Sequence, residues 1–233
     1  MRFNDKLLIH HTMKRKIAAL ILSCISLIAF SQESDEQSFN GWGFRAALDV
    51  NIPGKWSIHS GEKVKMYKAG IGLTAGMVYN LPIAGNFYFE PGASLFYDTY
   101  KIDDFVLGIP DPSSAPKTVS PEISKAGFRV PINFGYRFNI SNFNLALYTG
   151  PELSYAFYGH MQKDDDWNLG DEFSTNLFDH GYRRFDCGWK VGLSFPLQRW
   201  VVAVEGTFGL IDQHKNDIKF HENRLSIVVG YDF

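Results

Sequence analysis

The sequence has no run of 18 apolar residues, so it offers no helix able to cross a bilayer. It has no strong charge of either sign. With 23 basic and 25 acidic residues the formal net charge is −2, which gives no electrostatic reason to expect nucleic acid as a partner. Cysteine is scarce, with two in 233 residues. No phosphate-cradling glycine loop, zinc-ligand spacing or nucleic-acid module occurs, and no cofactor is expected. Aromatics and glycine are plentiful: 20 Phe, 11 Tyr and 5 Trp stand beside 21 Gly and 10 Pro. That composition suits an all-β chain better than a helical one.

One shorter apolar stretch, IAALILSCISLIAF at residues 17–30, follows the cationic MKRK at 13–16. Small residues close it at Ala29 and Ser31. This is the pattern of a secretory signal peptide over residues 1–31, with cleavage expected between Ser31 and Gln32. Met13 fits as the true start. The ILSC at 21–24 is like a lipoprotein box, but the apolar run continues past Cys24 and argues against lipidation. The exported chain then keeps only Cys187, so an intramolecular disulfide is excluded. Residues 32–41 read as a polar, disordered lead-in to a single domain over 42–233.

From residue 42 onward, apolar and polar positions alternate. In WGFRAALDV, Trp42, Phe44, Ala46, Leu48 and Val50 share one face, opposite Arg45 and Asp49. In YKAGIGLTAGMVY, Tyr67, Ile71, Leu73 and Met77 oppose Lys68, Gly70, Gly72 and Thr74. The clearest segment is KAGFRVPINFGYRFN, where Phe128, Val130, Ile132, Phe134, Tyr136 and Phe138 alternate with Gly127, Arg129, Pro131, Asn133 and Arg137. Five further segments behave alike, the last being RLSIVVGYDF. Helices repeat apolar residues every three or four positions, and these do not. Runs of about 9–15 residues are long enough to cross a bilayer at a tilt. Long polar connections at 51–66, 101–122, 159–179 and 211–220 alternate with short ones at 80–86, 141–142 and 196–199. Strict alternation of this kind belongs to an eight-stranded antiparallel up-and-down transmembrane β-barrel, with both termini in the periplasm.

Periodicity alone allows a soluble barrel with an apolar core. Aromatic placement favours the membrane. Trp42, Tyr79, Phe87, Phe138, Phe143, Phe195, Trp200, Tyr231 and Phe233 gather at the short-turn ends of the apolar face, as a girdle would. Tyr67, Tyr97, Tyr155 and Phe157 are candidates for the opposite girdle. Pro91, Pro131 and Pro151 each remove a ladder donor, so bulges or local breaks are expected there, with the alternation resuming in phase.

Turning the polar face inward puts Arg45, Lys68, Lys125, Arg129, Arg137, Arg184, Lys190 and Arg224 in the lumen. Asp49, Glu90, Asp98, Glu152, Asp186, Glu205, Glu222 and Asp232 face them. An eight-stranded barrel is just wide enough for side chains to fill. Charges there need partners, because burying one alone costs several kcal/mol. A packed, non-enzymatic scaffold with long extracellular loops is the expectation. A narrow small-solute channel and a lipid A-modifying enzyme are the alternatives. The enzyme would draw on His160, His180, His221 and Ser174 near the outer rim. The loop KDDDWNLGDE at 163–172 sets Asp164, Asp166 and Asn168 in a calcium-loop spacing, but Leu169 stands where the loop needs Gly.

The terminal RLSIVVGYDF places Tyr231 and Phe233 where outer-membrane proteins carry the strand their insertion machinery recognises, although the spacing of Gly230 departs from the usual pattern. YNLPIAGNFYFEPGASLFYD, RVPINFGYRF, YTGPELSYAF, RFDCGWKVGLSF and VVGYDF resemble the Bacteroidetes outer-membrane β-barrel family often called PorT-like, over roughly residues 42–233. The resemblance implies an eight-stranded barrel, signal-directed export and residence in the outer membrane of a Gram-negative bacterium. Its surroundings would be outer-membrane lipid and lipopolysaccharide, with an extracellular or periplasmic protein as a further partner. It supplies no catalytic residues.

Overall fold

The computed structural model describes residues 40–57, 63–103, 105–107, 117–119, 121–140, 143–162, 174–215 and 219–233. The expected leader at 1–31, almost all of the expected lead-in and the acidic loop at 163–172 lie outside them.

Each alternating segment forms a long strand: β1 (Gly41–Pro53), β2 (Gly70–Ala84), β3 (Phe87–Ile102), β4 (Glu122–Ile140), β5 (Phe143–Met161), β6 (Phe185–Leu197), β7 (Trp200–Gly209) and β8 (Glu222–Asp232). Every strand pairs antiparallel with its sequence neighbours, and β3 pairs with β4. The ring closes where β8 meets β1, with Ala46 opposite Val229 and Val50 opposite Leu225. No strand of this ring keeps an unpaired edge, the arrangement that a spanning sheet needs in lipid.

The short connections all lie at one end. β2 and β3 join through residues 85–86, where Gly85 takes φ 55°, in the left-handed region that favours glycine. β6 and β7 join through residues 198–199, and Gln198 takes φ 58° there. Pro91, Pro131 and Pro151 stay inside strands. The ladders skip beside them, between Pro91 and Ser94 of β3 and between Thr149 and Glu152 of β5, and resume in the same register. These are local breaks rather than bulges. Register slips occur elsewhere, at Ala156/Tyr158 and Pro82/Ala84.

The outer face is apolar. Ile71 is 66% exposed, Leu73 62% and Leu95 64%, whereas Asp49 and Arg129 inside the ring are 0% and 3% exposed. At the short-turn end the aromatics form a contacting band. Trp42 meets Tyr79 at 5.1 Å between ring centroids, Phe87 meets Tyr136 at 4.7 Å, and Trp200 meets Tyr231 at 5.1 Å. Tyr97, Tyr155 and Phe157 are exposed toward the loop end.

Tyr67 does not join them. The chain breaks at Ala69, between a short strand Tyr67–Lys68 and β2. The break flips the alternation, so Tyr67 turns into the ring and is almost wholly buried. Lys68 leaves the lumen by the same flip. The loop end is also less polar than its composition suggests. Tyr67, Tyr100, Ile123, Met161, Leu177, Phe178, Tyr182 and Phe220 pack together there, with Trp56 and Met66 against them. This apolar cap covers that end of the lumen.

Candidate functional site

The lumen is built in layers. At the short-turn mouth, Arg45 on β1 donates to Asp232 on β8 at 2.6 Å and to Glu90 on β3 at 3.1 Å. Beside it Arg137 donates to Asn80 at 2.7 Å and lies 4.6 Å from the centre of the Tyr88 ring. The next layer is mostly apolar, with Tyr88, Ala146, Tyr148, Ala203 and Val228 in contact. The Tyr148 hydroxyl donates to Glu205 at 2.7 Å.

The central layer is ionic. Arg129 on β4 bonds Asp49 at 2.9 Å, bonds Asp98, and lies 3.9 Å from Glu152. Arg224 on β8 reaches Glu152 at 2.5 Å and Asp49 at 3.7 Å. Lys190 on β6 bridges Glu152 at 2.8 Å and Glu205 at 2.9 Å. Thr74 and Ser226 both donate to Asp49 at 2.6 Å. Seven of the eight strands therefore meet through one set of charges. Above it, Lys125 holds Glu222 at 2.5 Å, and Tyr100 donates to the same carboxylate at 3.0 Å.

Two of the sixteen expected lumen charges lie elsewhere. Lys68 is half-exposed at the rim, 3.6 Å from Asp103, for the reason given above. Arg184 precedes β6 at a bend. Its guanidinium sits 3.8 Å over the Phe178 ring and donates to the Phe157 carbonyl at 3.1 Å. The expected balance of eight cations and eight anions thus becomes six cations and the same eight carboxylates. Among those carboxylates, Asp186 accepts the Cys187 amide at 2.8 Å.

Two cavities flank the ionic layer. One, of about 90 Å³, lies toward the short turns and is lined by Arg45, Tyr88, Asn133, Tyr148 and Glu205 among others. The other, of about 40 Å³, lies toward the loops and includes Asp98, Lys125, Arg129, Asp186 and Arg224. They have no lining residue in common. The layer of Asp49, Arg129, Glu152, Arg224 and Lys190 stands between them.

The sequence reading overlooked the inward aromatics. Three of them sit directly across from a glycine on the next strand: Tyr88 from Gly135, Phe96 from Gly127, and Tyr148 from Gly192. Those glycines were visible on the polar face of their strands, and they mark where a ring can lie flat.

The rim histidines do not gather on one hydroxyl. The Ser174 hydroxyl donates to Asp179 at 2.6 Å, and the His180 ring meets the Ser174 carbonyl, also at 2.6 Å. His160 bridges to Asn176, and His221 lies 3.6 Å from Asp212. Among the described residues no group of His, Cys, Asp and Glu could hold a metal ion.

The cap is pinned by a bond between the Tyr67 and Tyr182 hydroxyls at 2.6 Å. Burial pushes the Tyr182 hydroxyl up to about 12 and raises Tyr67 as well, so both are protonated at neutral pH. Tyr182→Phe is expected to cost about 1 kcal/mol. Limited proteolysis should then cut faster between residues 174 and 184, and an unchanged cleavage rate would show that the bond does not fasten the cap.

A closed antiparallel ring with an apolar outer face, an aromatic band and a charge-filled lumen defines an integral membrane β-barrel. The chain belongs to the family described as Outer membrane protein beta-barrel domain, which matches residues 30–215. It is an outer-membrane barrel of the kind found in Gram-negative bacteria. No curated protein matches the sequence. Among solved structures, Neisserial surface protein A is 15% identical, with 84% of this chain and 100% of that chain covered and a TM-score of 0.45. Ail, the attachment invasion locus protein of Yersinia pestis, crystallised with a heparin analogue, is 13% identical, with 82% and 99% covered and a TM-score of 0.38. The translocator domain of autotransporter NalP from Neisseria meningitidis is 11% identical, with 98% of each chain covered and a TM-score of 0.33.

Proposed function

We propose that this protein is a plugged, non-enzymatic scaffold of the PorT-like kind, which holds its long loops at the outer surface for contact with a protein partner or the surroundings. The observation that carries the reading is the ionic layer between two cavities with no common wall. A solute would have to break several buried ion pairs at once to pass, each costing kcal/mol to disrupt. The short turns then face the periplasm, which puts both ends of the chain there after removal of residues 1–31. Tyr231 and Phe233 serve as the assembly signal in this reading. Its support is that β8 pairs with both β1 and β7 and that the two rings lie 5.7 Å apart in the aromatic band.

The folded protein in a planar bilayer is expected to be silent, with folding checked by heat-modifiable gel mobility. Well-defined, salt-dependent conductance steps would overturn the reading in favour of a narrow channel.

A further inference from the structure

Just beyond β1, the chain forms a small sheet with an unusual face. Ser57 in the strand Trp56–Ser57 lies directly opposite Lys63 on one side and Lys219 on the other. The second pairing is held by two backbone hydrogen bonds, at 2.9 and 3.3 Å. Residues directly opposed in an antiparallel pair present their side chains on the same face, with Cα atoms about 4.5–5.5 Å apart. Lys63 and Lys219 thus flank Ser57 on one face. Lys55, exposed, stands immediately before that strand. Lys65 follows Lys63 by two.

The other face is settled by packing. Trp56 stacks on Phe220 at 6.2 Å and meets Tyr67 at 5.6 Å, and Met66 packs on the same cap. The lysine face therefore points away from the cap, and Lys55, Lys63, Lys65 and Lys219 are all exposed.

These lysines differ from the other charges at this end. Lys68 is matched by Asp103 at 3.6 Å and Lys101 by Glu122 at 3.4 Å. His221, which follows on from Lys219, is matched by Asp212 at 3.6 Å. Among the described residues, none of the four has a carboxylate within ion-pair distance. Among the described residues, this surface gathers four lysines that no carboxylate matches.

Its level in the barrel identifies the partner. Ile52 on the outer face of β1 is 46% exposed and belongs to the apolar belt. Lys55 is three residues further on, about 10 Å at strand rise. That distance carries the ammonium groups from the hydrocarbon edge into the headgroup layer. We propose that Lys55, Lys63, Lys65 and Lys219 bind the phosphate groups of phosphorylated lipids in the leaflet surrounding the loop end. The proposal rests on the loop end facing the outer leaflet, and it concerns what the barrel holds there rather than whether it conducts.

The test uses protein extracted folded from outer membranes into zwitterionic detergent and titrated with diphosphoryl lipid A. Retained lipid is counted by native mass spectrometry. The variant Lys55→Gln, Lys63→Gln, Lys65→Gln, Lys219→Gln is expected to retain the lipid at least about tenfold more weakly, since each basic residue near an anionic surface contributes. The wild-type complex should weaken with added salt. Dephosphorylated lipid should be held equally by both proteins. The control Lys68→Gln, Lys101→Gln is expected to match the wild type, and Lys55→Gln, Lys219→Gln alone repeats the test should the fourfold variant lose heat-modifiable mobility. Equal retention by the variants would overturn the proposal. So would a wild-type protein that binds soluble polyphosphate but shows no preference for the phosphorylated lipid. The readout does not depend on conductance, so a barrel that proves to be a channel leaves it standing.

Discussion

Arg129→Met is expected to lower the stability of the folded barrel by about 3–5 kcal/mol, read as a lower urea midpoint of the heat-modifiable band. The size follows from what the guanidinium leaves behind. It bonds Asp49 and Asp98, lies 3.9 Å from Glu152, and packs 4.1 Å over the Phe96 ring. Asp49 would retain Arg224, Thr74 and Ser226. Asp98 would keep no ion-pair partner among the described residues and would remain buried. Most of the loss comes from that stranded carboxylate, so adding Asp98→Leu should recover part of it. Lys101→Met makes the contrast. It removes an exposed pair with Glu122 and should shift stability by no more than about 1 kcal/mol. If Arg129→Met unfolded at the same urea concentration as Lys101→Met, the central layer would not hold the barrel together.

Gly135→Val is expected to cost about 1–3 kcal/mol, or to lower folding yield outright, for a steric reason. A Cβ at Gly135 would run into the ring of Tyr88, which lies flat against the glycine from β3. The Arg137 guanidinium also lies against that ring, 4.6 Å from its centre, so a displaced ring would disturb that contact too. Tyr88→Ala added to Gly135→Val should cost less than the two single changes together, because the clash disappears. Gly206→Ala is the matched control. Its Cβ would meet nothing closer than the Phe208 ring at 4.0 Å, and it should leave the urea midpoint within about 0.5 kcal/mol of the parent. Equal midpoints for Gly135→Val and Gly206→Ala would mean that the rings do not need their glycines.

The ring of eight strands was legible because a strand with one face in lipid and one in a polar lumen must alternate with period two, and Phe128 to Phe138 do so without exception. Direction of the faces was legible from Trp42, Phe87 and Trp200, which sit at the ends of strands beside short turns. Lys68 and Arg184 were misplaced because period two says nothing of where a strand breaks. A single irregular residue, such as Ala69 or the bend at Arg184, reverses every assignment beyond it. The cap was missed for a different reason. Trp56, Tyr182 and Phe220 come from separate connections in which apolar residues are isolated among polar ones, and only folding brings them into contact. Ion pairing within the lumen was legible as a need for partners but not as a list of them. Arg129 and Glu152, for instance, were assigned to one compartment by parity, whereas their shared contacts depend on strand tilt and stagger.

The closure of β1 on β8 also governs how the molecule can be made. Arg45 and Asp232, joined across that seam, are 187 positions apart along the chain. Contacts of such sequence separation must be reached against a large loop-closure entropy, and folds dominated by them assemble slowly. Asp49 of β1 takes one of its two cations, Arg224, from β8, and Glu152 of β5 takes its shortest ion pair from the same arginine, so an open sheet that lacks β8 leaves both pairs unmade. Intermediates therefore gain little until the seam shuts, and assembly is steeply cooperative: a nascent sheet with a free margin and bare charge is a species to be shortened in time or sheltered, and the last hairpin to arrive settles the electrostatics of the first.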